Sequence, residues 1–95
     1  MTVEEFKHEL ENTVSALTSS GFAGIDSETV EKLERLGVFA GEIGLKEGNH
    51  LIKNLAQSVK AIQEGKSTAE SGNVRLMALD FYIKKLSGNE KIEDL

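Results

Sequence analysis

Apolar residues return at every third or fourth position along four separate stretches of this chain, and no proline interrupts any of them. A strand repeats with a period of two. A helix instead brings positions i, i+3, i+4 and i+7 onto one face, so this spacing prescribes amphipathic helices. The plentiful leucine, glutamate, lysine and alanine favour the same outcome.

The first stretch runs through Val3, Phe6, Leu10, Thr13 and Leu17, with Val14 beside them. Thr2-x-x-Glu5 precedes it as a capping box, in which hydroxyl and carboxylate satisfy early backbone N–H groups. Thr18-Ser19-Ser20-Gly21 ends this helix, and Phe22-Ala23-Gly24-Ile25 forms a loop with two apolar anchors. The second helix opens at Asp26-Ser27-Glu28, either polar residue serving as N-cap, and carries Val30, Leu33, Leu36, Ala40 and Ile43. Gly48-Asn49 marks the next turn. The third helix carries Leu51, Ile52, Leu55, Val59 and Ile62 and stops at Gly65. Ser67-x-x-Glu70 reads as a second capping box, opening a fourth helix with Leu76, Leu79, Ile83 and Leu86. Ser87-Gly88-Asn89 stops it, and the polar tail to Leu95 frays.

Four helices joined by short loops make an all-α, up-down-up-down antiparallel four-helix bundle. Residues 1–88 form one domain and 89–95 the tail; 95 residues leave room for no second core.

Two helices depart from a plain bundle pattern. Gly37, Gly41, Gly44 and Gly48 recur at spacings of four, three and four, which places them on one helical face. Each interior glycine costs about 1 kcal/mol against alanine. Three readings stay open: the helix ends near Leu36-Gly37, the glycines let another helix approach closely, or they form a hinge. Close approach makes Gly37, Gly41 and Gly44 candidate contact residues. The fourth helix is apolar on two sides, with Val74, Met77, Ala78 and Phe81 opposite the Leu76 stripe. One small bundle hides only one broad face of a helix. The second stripe therefore packs on a partner, or lies under a loop such as 22–25. Val74, Met77 and Phe81 are the candidate partner-binding residues.

Charge and composition exclude several function classes. The net charge is −5, and it is uneven. The first 48 residues hold ten acids against four bases, the remaining 47 six against seven. Nucleic-acid backbone binding needs clustered Lys and Arg, so none is expected. The absence of cysteine removes disulfides, thiol catalysis and zinc-thiolate sites. No apolar run approaches the roughly 20 residues of a membrane span. Met1-Thr2-Val3-Glu4-Glu5-Phe6 lacks the basic and apolar regions of a secretory signal, so a cytoplasmic location is expected.

Few residues suggest chemistry. Gly65-Lys66-Ser67-Thr68 matches the end of a phosphate-binding loop, but Lys60 stands where that loop requires its first glycine. It reads as a turn and a helix cap. Two Glu-x-x-His pairs, Glu5/His8 and Glu47/His50, have the spacing of helical-bundle metal sites. With Val3/Phe6 and Ile52/Leu55 as core a and d positions, both pairs fall at c and f and face solvent. No metal site is expected, no Ser/His/Asp arrangement is present, and Tyr82 edges the core. The chain is read as a non-enzyme without cofactor.

The segment Asn49-His50-Leu51-Ile52-Lys53-Asn54-Leu55-Ala56 resembles the phosphoacceptor motif of histidine phosphotransfer domains, His-x-Leu-Lys-Gly-x-Ala. His50, Ile52 for leucine, Lys53 and Ala56 match, while Asn54 replaces the motif's glycine. The resemblance implies a four-helix bundle whose exposed imidazole takes a phosphoryl group from a receiver domain's aspartyl phosphate. His50 would be the nucleophile and Lys53 would steady the phosphoryl oxygens.

These observations define a leading expectation and an alternative. The first is a small cytoplasmic protein-interaction module that binds a second copy of itself or another protein, with no nucleic acid and no membrane. The second is a phosphotransfer or receiver-binding module using His50.

Overall fold

The structure, a computed structural model, describes the backbone of residues 1–22 and 25–93 and the side chains of residues 1–22 and 25–86. Ala23 and Gly24 of the expected loop, and the last two residues of the expected tail, lie outside the described residues. Four helices account for all the regular structure described: α1 (Val3–Ser20), α2 (Ser27–Glu42), α3 (Lys46–Gln63) and α4 (Ala69–Glu93).

They form a ring in which each helix packs against two others: α1 on α2 and α4, α3 on α2 and α4. Side-chain neighbours show the chain direction reversing at each turn. Phe6 of α1 meets Phe39 near the end of α2, with ring centroids 5.3 Å apart. Gly41 of α2 faces Asn49 early in α3, and Gly37 faces Lys53 one turn later. Gly48 of α3 faces Tyr82 of α4, while Ile62 faces Gly72. In every pair, advancing along one helix means retreating along the other, as an antiparallel bundle requires.

The core lies inside this ring. Phe6, Leu10, Leu33, Leu36, Ile52, Leu55, Val59 and Leu79 are fully enclosed. Each such side chain contributes roughly 1.5–3 kcal/mol relative to exposure. Thr13 is also buried, and its hydroxyl donates to the Glu9 carbonyl at 2.8 Å. The first capping box forms as its sequence implies. The Glu5 N–H donates to the Thr2 hydroxyl at 3.1 Å, and the Thr2 N–H to the Glu5 carboxylate at 3.0 Å. Asp26 takes the N-cap of α2, accepting from the Thr29 N–H at 3.1 Å.

Three boundaries differ from the sequence reading, each for a local reason. First, α2 stops at Glu42 and α3 starts at Lys46, ahead of the expected Gly48-Asn49 turn. Gly44 has φ +85°, and the Leu45 N–H returns to the Ala40 carbonyl at 2.8 Å. A left-handed residue followed by that long-reach bond is a helix stop, so Gly44 closes α2 and does not belong to its face. Gly65 does the same for α3, with φ +75° and the Lys66 N–H returning to the Ala61 carbonyl at 2.8 Å. Second, α4 is capped by Thr68, not Ser67. The Ser71 N–H donates to the Thr68 hydroxyl at 3.4 Å, since Thr68 directly precedes the first helical residue. Third, α4 continues past Ser87-Gly88-Asn89 to Glu93. One interior glycine lowers helix propensity by about 1 kcal/mol, and the Glu-Lys-Ile-Glu that follows is compatible with helix.

Candidate functional site

The outer face of α4 is the most unusual surface among the described residues. Leu76, Leu79, Tyr82 and Ile83 turn inward and are buried. Val74, Met77 and Phe81 turn outward and are 69%, 71% and 68% exposed. Their spacing of three and four aligns them into one stripe along the helix. The two apolar sides seen in the sequence are thus separate faces, one in the core and one in solvent. Large apolar side chains exposed contiguously mark interaction surfaces more often than isolated ones do.

Phe22 and Ile25, the described residues of the loop before α2, do not cover this stripe. Phe22 is buried, its ring lying against Gly72 on the core side of α4. Ile25 packs against the core as well, and its carbonyl accepts from the Gln63 side chain at 2.6 Å. Beside the stripe, α3 and α4 enclose a shallow groove lined by Leu51, Asn54, Ser71, Val74, Arg75 and Ala78. The groove's α3 wall escaped the sequence reading, because periodicity assigns a residue to a face but not to a neighbouring helix.

Gly37 and Gly41 serve contacts inside the chain, whereas Gly44 faces open space. Gly37 is buried beneath α3, where a Cβ would lie 3.4 Å from Ile52 Cγ2 and 3.2 Å from Lys53 Cγ. At Gly41 a Cβ would lie 3.0 Å from Asn49 Nδ2. Close helix approach is therefore real, but between α2 and α3. Gly48 lies on α3 and allows a different crossing: a Cβ there would come within 2.9 Å of the Tyr82 hydroxyl. Burial pushes the Tyr82 phenol up from its ordinary value. The Glu47 charge adds to this, and a backbone hydrogen bond from Gly48 opposes it.

His50 and Lys53 are both exposed and stand one turn apart near the start of α3. Lys53 lays its stem over Gly37. Asn54, at the position of the motif's glycine, is half-buried and faces the α4 groove. His8 is exposed on α1, and Glu5 is engaged in the cap. Among the described residues no group of three or more His, Cys, Asp or Glu side chains converges as a metal site. No described helix is long and apolar enough to cross a membrane.

Set against family models, curated protein sequences and solved structures, the chain finds no match.

Proposed function

We propose that this chain is a small helical protein-interaction module that associates with itself through the outer face of α4, without catalysis of its own. One observation carries this reading: Val74, Met77 and Phe81 stand exposed in register on a helix whose other face already fills the core. A symmetric pair would cover six such side chains, each worth at most roughly 1.5–3 kcal/mol if fully buried. Association costs about 4–15 kcal/mol, a comparable amount, so the assembly depends on concentration. Gel filtration of the wild type beside Phe81→Glu tests the reading. The wild type should elute as a dimer and the variant, still helical by circular dichroism, as a monomer.

A second reading rests on the exposure of His50 with Lys53 one turn away on a four-helix bundle. Such an imidazole is accessible to a receiver domain's aspartyl phosphate. The half-buried Asn54 and the nearby acidic Glu47 make it the weaker of the two.

A further inference from the structure

The stripe on α4 carries its own instructions for orientation. Glu70 and Lys84 extend it at either end, giving the series Glu70, Val74, Met77, Phe81, Lys84 with alternating steps of four and three. At 100° per residue these five positions occupy an arc of about 80° on the side away from the core. All five are exposed, and Lys85 flanks the basic end. Among the described residues the outer face is therefore acidic at Glu70, apolar from Val74 to Phe81 and basic at Lys84 and Lys85. Glu70 and Lys84 lie seven residues to either side of Met77, about 10.5 Å each way along the axis.

We propose that a second copy of this chain docks α4 against α4 in antiparallel orientation, about a two-fold axis passing beside Met77. This rests on the self-association reading and adds its geometry. A closed two-fold contact requires the patch to be complementary to itself. Antiparallel pairing sets Glu70 opposite the partner's Lys84 and Lys85, twice over, and sets Val74 close to the partner's Phe81. The two Met77 side chains meet at the centre, where a flexible thioether fills the gap. Parallel pairing would instead stack Glu70 on Glu70 and Lys84 on Lys84, placing like charges at both ends. Lys84 already lies 3.0 Å from Asp80 on its own helix, so its ammonium is held on the flank of the stripe. At such an exposed rim, charge pairs set orientation more than affinity.

The absence of cysteine makes the test direct, because each introduced thiol is the only one in its chain. Met77→Cys, Glu70→Cys and Lys84→Cys replace exposed side chains, and circular dichroism verifies that each variant folds. Each is treated with a short bismaleimide, alone and in mixture, while sedimentation reports whether the untreated wild type is dimeric. The proposal expects Met77→Cys to link to itself, and the mixture of Glu70→Cys with Lys84→Cys to yield mainly the hetero-linked species by mass. Glu70→Lys should weaken the dimer, and adding Lys84→Glu and Lys85→Glu to the same chain should recover it. A dimeric wild type in which Glu70→Cys links mainly to itself overturns the antiparallel geometry and leaves self-association standing. A monomeric wild type with no linkage at any of the three positions overturns both.

Discussion

The Asn49 side-chain amide, in the first turns of α3, donates a 2.6 Å hydrogen bond to the backbone carbonyl of Gly37 on α2. The bond clamps a close crossing of α2 and α3, where Gly37 and Gly41 remove the side chains that would hold α3 away. Asn49→Ala should lower stability by about 0.5–1.5 kcal/mol, the usual net worth of such a bond. Gly41→Leu should cost roughly 1–3 kcal/mol by forcing Asn49 aside. Denaturant midpoints measure both. A neutral Gly41→Leu would contradict the close-packing account.

Gly41 and Gly44 should respond differently to alanine although both are exposed. At Gly41 the gain in helix propensity, about 1 kcal/mol, is offset by the push against Asn49, so Gly41→Ala should be near neutral. At Gly44 the backbone is left-handed with φ +85°, and a Cβ there costs about 1–2 kcal/mol. Thermal or urea unfolding of the two variants side by side distinguishes a face glycine from a helix stop.

The contrast between those two glycines shows where the sequence was legible. The capping box at Thr2/Glu5 and the two faces of α4 could be read directly, because each depends on spacing within a single helix. Gly44 could not, because a spacing of four, three and four is equally what a helix face and a nearby helix stop produce. The remaining clue was apolar Leu45 directly after it, a common companion of a left-handed cap. Thr68 and Ser67 offer the same hydroxyl chemistry, so local sequence left the one-residue choice open. The pairing of Gly48 with Tyr82 depends on how α3 and α4 dock, and no periodicity encodes that.

Tyr82 should make the protein sensitive to alkali. Burial and the Glu47 charge raise its pKa above the ordinary value of 10.0. Above pH 10 the unfolded chain releases the phenolic proton while the folded chain retains it. Stability attributable to Tyr82 is therefore intact below pH 10 and is lost as pH rises through the higher folded value. Tyr82 is the only tyrosine, so tyrosinate absorbance reports it alone. The titration should lie above that of the denatured chain, and Tyr82→Phe should remove this contribution to alkaline destabilisation.

His50→Gln should leave helicity and self-association unchanged, since His50 is exposed on α3 and does not belong to the α4 stripe. Incubation with phosphorylated receiver domains, followed by intact mass measurement at alkaline pH, should show no phosphoryl group on the wild type. Uptake of one phosphoryl group that disappears in His50→Gln would raise phosphotransfer above self-association.

The central claim is that the outer face of α4 joins two copies of this chain, and sedimentation equilibrium across micromolar concentrations tests it most directly. Wild type should approach twice the 10.4 kDa chain mass as concentration rises. Phe81→Glu, with an equal helical signal, should remain at the single-chain mass, because a charge placed in the stripe cannot be buried without a partner. A wild type that stays at 10.4 kDa up to high micromolar concentration, or a Phe81→Glu variant that dimerises as well as wild type, would contradict the account.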